Sequence, residues 1–278
     1  AGAAGPDPQR TWRAVLALQS EPQGNSTLWH VRPNNLLAPG SVSEWTPFAQ
    51  TVSVDSISFS PSGTRFLVSA GDKTQIWAFG DDGMPCKSGE VIGANAIWHP
   101  QVDTFVVKDT AKSQLISVDA ETQRMSPLPL KGLNIEDAVP CVFFRESFVD
   151  ESSPNWFLVL GTQTKDSAGY SRLSFVPVDS DADSSAESQP LTEIEGQGQI
   201  TAVAASPTEN LLVIGYSTGG VGVWTAAPSL SSDAYEVYDF EEHAGSSIKN
   251  LGFDSNGDVM VSVDEAGRAY SWISKDES

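Results

Sequence analysis

Three histidines and two cysteines are the residues of this chain best suited to binding a metal or attacking a substrate, and their spacing argues against both. His30, His99 and His243 fall at unrelated places, and no pair has the i, i+2 or i, i+4 separation that sets two imidazoles side by side. Each is expected to be a turn or surface residue. Cys86 and Cys141 lie 55 residues apart, without metal-type pairing. Two thiols make no disulfide framework, which favours a reducing compartment, the cytoplasm or nucleus. No Gly-x-Ser-x-Gly, phosphate-binding loop or dinucleotide fingerprint occurs. The glycine-rich run Gly219-Gly220-Val221-Gly222 sits between two apolar stretches and reads as a hairpin turn. The expected catalytic, cofactor-binding and metal-binding residues are therefore none.

Carboxylates are abundant, 36 acidic residues against 16 basic, for a net charge of −20. Many fall in turn-like stretches, among them Asp72, Asp81, Asp82, Asp109, Asp254 and Asp264, where a short carboxylate accepts backbone N–H groups. The charge argues against nucleic acid or an anionic membrane as main partner, since both reward positive charge. It suits a basic partner such as a Lys/Arg-rich tail, and it also serves simply to keep an edge-rich protein soluble. Hydrophobic residues make up 40% of the chain, enough for a packed core. No run of about 18 apolar residues exists to span a membrane. The sequon Asn25-Ser26-Thr27 is a single match of the kind chance supplies.

The elements that must position any site are set by four tryptophans. Trp29, Trp77, Trp224 and Trp272 each close a short run of alternating apolar and polar residues, at separations of 48, 147 and 48. The middle interval is three times 49, so the same period runs through it. A repeat of about 40–50 residues built only of short strands is the pattern of a β-propeller. A β-sandwich also uses many short strands but does not explain the period.

The clearest unit runs from Val54 to Phe79. Ile57 and Phe59 lead into the turn Ser60-Pro61-Ser62-Gly63, Phe66-Leu67-Val68 form a second strand, and Gly71-Asp72-Lys73 turns into Thr74-Gln75-Ile76-Trp77. Here the chain resembles the WD-repeat family. Phe59-Ser60-Pro61-Ser62-Gly63, then Val68-Ser69-Ala70-Gly71, then Asp72, Thr74 and Trp77 follow that family's pattern, with the last step one residue short. The resemblance implies a buried Asp–His–Ser–Trp network. Ser69, Asp72 and Trp77 supply three parts of it, and no upstream His supplies the fourth.

The expected fold is all-β, a propeller of about six to seven four-stranded blades, closed or incompletely closed. Residues 1–10 are expected to be a disordered or vector-derived N-terminal stretch. Residues 11–278 form the propeller, with units ending near Trp29, Trp77, Ile116, Phe175, Trp224 and Trp272. Outer strands are expected at 46–49, 90–92, 128–130, 191–194 and 235–238, as edges that tolerate Pro and charge. The first unit has no convincing inner strand and the last no outer strand. The chain is cut from a longer one, or those strands have diverged, or a partner supplies them.

The resemblance implies a protein–protein interaction scaffold or adaptor subunit, non-enzymatic, without cofactor. Its binding face is usually formed by the loops that lead into the inner strands. The candidates there are Asp55, Asn95, Asp137, Gln199 and Lys249. A reader of basic peptides is the alternative that the charge suggests, and a propeller hydrolase or lyase is the alternative from another class. The low-complexity run 179–188 cannot bury apolar surface and is expected to be a mobile loop. In it Ser180 and Ser184 each have an acid three residues on, the spacing that acid-directed kinases favour, so both are candidate phosphorylation sites.

Overall fold

The computed structural model describes residues 14–20, 25–31, 42–45, 54–80, 84–128, 138–146, 155–163, 169–178, 189–191, 198–224, 235–238, 243, 245–254 and 256–273. Among the described residues every regular element of any length is a β-strand. In chain order they are β1 (Ala14–Ser20), β2 (Asn25–Val31) and β3 (Val42–Trp45); β4 (Ser56–Phe59), β5 (Arg65–Ala70), β6 (Lys73–Phe79) and β7 (Pro85–Ile92); and β8 (Ala94–Trp98), β9 (Thr104–Asp109), β10 (Gln114–Asp119) and β11 (Met125–Pro127). Then follow β12 (Ala138–Glu146), β13 (Asn155–Gln163), β14 (Tyr170–Pro177) and β15 (Gln189–Leu191); β16 (Ile200–Ala205), β17 (Leu212–Tyr216), β18 (Val221–Trp224) and β19 (Tyr235–Tyr238); and β20 (Ile248–Phe253), β21 (Val259–Asp264) and β22 (Ala269–Ile273).

Each group pairs in sequence order as an antiparallel meander. An eight-stranded sheet is two such meanders, β12–β15 and β16–β19, joined among the described residues where Tyr170 pairs with Ile200. Four blades thus carry four strands, where six to seven were expected. The sheets β1–β3 and β20–β22 have three strands each among the described residues. The outer strands shift slightly from expectation: β3, β11 and β15 begin earlier than the runs assigned to them, β7 extends back to Pro85, and β19 coincides. Residues 1–10 lie outside the described residues.

By internal contacts the chain divides into two units, residues 1–105 with 118–125 and residues 106–117 with 126–278. In the first, Phe66, Val68 and Trp77 are buried with Val54, Ile57 and Phe79 packed on them, and the Phe66 and Trp77 rings stack 6.2 Å apart. A polar clamp ties the β4–β5 turn to the β8–β9 turn. Asp103 accepts hydrogen bonds from the Ser62 hydroxyl (2.7 Å) and the Arg65 guanidinium (3.2 Å). Burial opposes ionisation of Asp103, but those donors outweigh it and hold the carboxyl below its usual range. The Ser60–Gly63 turn closes through the Gly63 N–H on the Ser60 carbonyl (2.8 Å), with Gly63 at φ +68°, a conformation glycine adopts without strain.

In the second unit, Phe144, Val159, Leu173 and Phe175 of one blade meet Leu212, Ile214, Tyr216 and Trp224 of the next. A further layer joins Ala202, Val213 and Val221 to Ile248 and Met260. The second strand of a blade is therefore sandwiched. β17 is buried at all five positions, which is why Leu212-Val213-Ile214 reads as a continuous apolar run and not as an alternation. β21 differs, alternating between buried and open positions.

Candidate interaction face

Three inner strands carry the same irregularity near their start. In β12, β16 and β20 the pairing slips by one residue at Pro140/Val142, Ile200/Ala202 and Ile248/Asn250. Cys141, Thr201 and Lys249 are the extra residues. Such a bulge bends the strand and redirects the side chain it carries. Asp55 stands at the matching place ahead of β4, its N–H donating to the Ser69 carbonyl (2.8 Å).

In the first unit, the Asp55 carboxylate accepts the Gly71 N–H at 2.6 Å, which holds the start of the inner strand to the β5–β6 turn. The Gly93 N–H donates to the Asp72 carbonyl (2.7 Å), binding the same turn to the residue before β8. Asn95 follows, exposed and at φ +54°, a left-handed conformation that Asn tolerates better than most residues. Asp55 and Asn95 thus belong to one edge of this unit.

In the second unit, the Gln199 N–H donates to the Ser217 hydroxyl (3.0 Å) and the Ser217 N–H returns to the Gln199 carbonyl (2.8 Å). The Gly245 N–H donates to the Thr218 carbonyl (3.1 Å), and the Glu265 N–H to the Ser247 carbonyl (2.8 Å). Lys249 reaches Glu265 at 3.5 Å, an exposed pair worth at most about 1 kcal/mol. Gln199 and Lys249 therefore share one edge. Asp137, Ser180 and Ser184 lie outside the described residues.

Beneath that second edge is a buried polar chain that the sequence reading missed. His243, expected at a turn or surface, is fully buried. Its Nδ1 lies 3.2 Å from Asp264 Oδ2, its Nε2 lies 2.7 Å from Ser262 Oγ, and the Trp272 indole N–H donates to Ser262 Oγ at 2.9 Å. With the proton on Nδ1, His243 donates to the carboxylate and accepts from Ser262, so every member is satisfied. Burial opposes ionisation of Asp264, but the Arg268 backbone N–H, His243 and the Arg268 guanidinium outweigh it and bring the carboxyl down to about 2.

The Asp–His–Ser–Trp network that lacks its histidine around Ser69, Asp72 and Trp77 is thus complete in another blade. In the Val54–Phe79 unit, Ser69 bonds Thr74 instead (3.1 Å), Thr74 donates to the Gly93 carbonyl (2.9 Å), and the Trp77 N–H donates to Gln75 (3.1 Å). The signal for the missed histidine was its place, five residues ahead of β20, with Asp264 and Trp272 following at the pattern's spacing. Asp109 and Asp264 do cap turns as expected. Asp109 accepts the Ala111 and Lys112 N–H groups at 3.0 and 3.1 Å, and Asp264 accepts the Arg268 N–H at 2.9 Å.

Reactive chemistry is sparse. Burial pushes the Cys141 thiol up to about 12, a protonated and unreactive group at neutral pH. The Tyr170 ring beside it lies so close to Gly161 that a β-carbon there would collide with it. Among the described residues, no group of three or more His, Cys, Asp or Glu side chains is placed to hold a metal ion, and no helix is long and apolar enough to cross a membrane.

No protein-family profile and no curated protein sequence matches this chain. Among solved structures it is similar to the crystal structure of the RRP9 WD40 repeats, with a TM-score of 0.56 at 11% identity. The likeness covers 95% of this chain and 74% of that one. At that identity the likeness speaks to fold alone, and the fold is a WD40-type β-propeller.

Proposed function

We propose, from the premise that the chain folds as a WD40-type propeller, that it is a non-enzymatic protein–protein interaction subunit, a scaffold or adaptor of a larger assembly. The observation that carries this reading is the run of inner-strand bulges. They recur at the same place in three blades and carry the exposed Lys249 on one of them, beside second strands such as β17 that are fully buried, so contacts at this edge are presented on a stiff support at little entropic cost. The proposed binding residues are Asp55, Asn95, Gln199 and Lys249, with Asp137 as a fifth. Six blades, of which β1–β3 and β20–β22 are the outermost in sequence, form the ring in this reading, alone or as part of a seven-bladed one. Cytoplasm or nucleus is the proposed compartment, consistent with the two unpaired thiols.

Co-purification with stable partners, followed by light scattering, tests the proposal. Lys249→Glu should weaken the complex with little change in the melting temperature of the isolated chain, because its exposed pair with Glu265 is worth at most about 1 kcal/mol; Asp55→Lys should weaken the complex and also lower the melting temperature, because it removes the acceptor of the Gly71 N–H. A chain that retains no partner, or whose partners ignore both reversals, counts against the proposal. The net charge of −20 supports a second reading, recognition of a basic peptide. Phosphorylation of Ser180 and Ser184 belongs to the same proposal, and intact mass of the native protein without added phosphate would remove it.

A further inference from the structure

A serine or threonine followed by proline occurs five times in the chain, at Thr46, Ser60, Ser126, Ser153 and Ser206. That dipeptide is the minimal target of proline-directed protein kinases, whose substrate groove accepts the ring after the reacting residue because no backbone N–H needs a partner there. Thr46 and Ser153 lie outside the described residues. The fold treats the other three serines differently.

Ser60 and Ser206 are each 4% exposed, and their hydroxyls are committed to turns. Ser60 Oγ accepts the Arg65 N–H (3.2 Å) and lies 3.0 Å from Ser62 Oγ. Ser206 Oγ accepts the Thr208 and Glu209 N–H groups at 3.3 and 3.2 Å. A phosphate on either would set a dianion in a buried site and break the turn, so the folded chain withholds both.

Ser126 is the opposite case. It is the middle residue of β11, a strand exposed at all three positions. β11 ends its sheet, with β10 as its neighbour. Backbone bonds hold both ends of the segment. The Asp119 N–H donates to the Arg124 carbonyl (3.0 Å), and the Leu128 N–H to the Leu115 carbonyl (2.9 Å). Between them the backbone is already extended, the form in which a binding groove takes a peptide. Among the described residues no hydrogen bond occupies the Ser126 hydroxyl. The Leu128 N–H faces β10, so by strand alternation the Pro127 nitrogen faces the open edge, where its missing proton costs the sheet nothing. Residues two apart share a side of an extended run, which sets the exposed Arg124 beside Ser126 as a partner for added negative charge.

We propose that Ser126 is a phosphorylation site of the folded chain, the substrate of a proline-directed kinase acting with ATP. Ser126 Oγ attacks the γ-phosphorus, the bond from that phosphorus to the β–γ bridging oxygen breaks, ADP departs, and the hydroxyl proton passes to the kinase's aspartate base. The product adds about −1.5 to −2 charges to an exposed strand and leaves the core untouched.

Incubation of the folded full chain with a mitogen-activated, proline-directed kinase and Mg-ATP, followed by phosphopeptide mapping, tests the proposal. Phosphate is expected on Ser126, with at least about tenfold less on Ser60 and Ser206, because those two react only after local opening. A synthetic peptide around Ser126 is the unfolded reference. Pro127→Ala should lower incorporation at Ser126 about tenfold by emptying the kinase's ring pocket, with the melting temperature of the chain nearly unchanged because Pro127 is exposed. Native protein purified with phosphatase inhibitors should carry the phosphate at Ser126. Modification of the peptide but not of the folded chain overturns the proposal. So do equal modification of Ser60 and Ser206, indifference to Pro127→Ala, or native protein bare at Ser126.

Discussion

His243 shows how one side chain acquires a role that its neighbours in sequence do not reveal. Its partners lie 19 and 21 residues away and reach it only when β20 and β21 pair. Ser262→Ala should leave a buried imidazole nitrogen and the Trp272 N–H unsatisfied, at about 2–3 kcal/mol, read as a lower urea midpoint at unchanged slope. Trp224 offers the contrast. It is 3% exposed, and among the described residues no acceptor reaches its indole nitrogen. Trp224→Phe should therefore cost less than Trp272→Phe, which severs a hydrogen bond.

Asp264 also makes the network sensitive to acid. Its folded-state value of about 2 lies below the ordinary 3.8. A depressed carboxylate contributes stability that is complete above the unfolded value and is lost as pH falls through the folded one. The gap in urea midpoint between wild type and Asp264→Asn should hold from neutral pH down to about pH 5, then close towards about pH 2.

At the scale of the element, turns and strand seams decide which positions tolerate change. Gly219 has φ +95°, and a β-carbon there would meet the His243 carbonyl. Gly245 has φ +74° but open space around it. Gly219→Ala should thus destabilise by more than the roughly 1 kcal/mol expected of Gly245→Ala, a difference that thermal melts resolve. Ile248 is fully buried in the layer that joins β16–β18 to β20–β22. Ile248→Ala should cost about 2–5 kcal/mol, with amide exchange rising first in β21. Most elements were legible from turn residues and alternation, as at Ser60–Gly63 and Thr74–Trp77. The outer strands were less so: β11 and β15 have three residues each, too few to carry a period.

At the scale of the whole molecule, charge and stiffness dominate the expectations. If a basic peptide is the ligand, its affinity should fall steeply between low and physiological ionic strength, because exposed charges are screened beyond about 8 Å at 0.15 M salt. Titration calorimetry at two salt concentrations reads this directly, and salt-insensitive binding would remove the basic-peptide reading. The WD40-type architecture suits either outcome, since a fold hosts many functions and the site alone selects among them.

The sequence by itself determined the repeat, the strand-only composition, the turn chemistry and the charge, because each is a local property read within a few residues. That local reading set Asp55, Asn95, Gln199 and Lys249 near the entries of the inner strands; Asp55 and Gln199 precede β4 and β16, whereas Asn95 and Lys249 are the second residues of β8 and β20. Tertiary structure decided which blade completes the polar network, because His243, Ser262 and Trp272 converge only through strand pairing. It also decided that β17 is covered on both faces and β21 on one. β17 is a continuous apolar run and β21 alternates, yet each is the second strand of its sheet, and how far each is buried is a property of the folded chain.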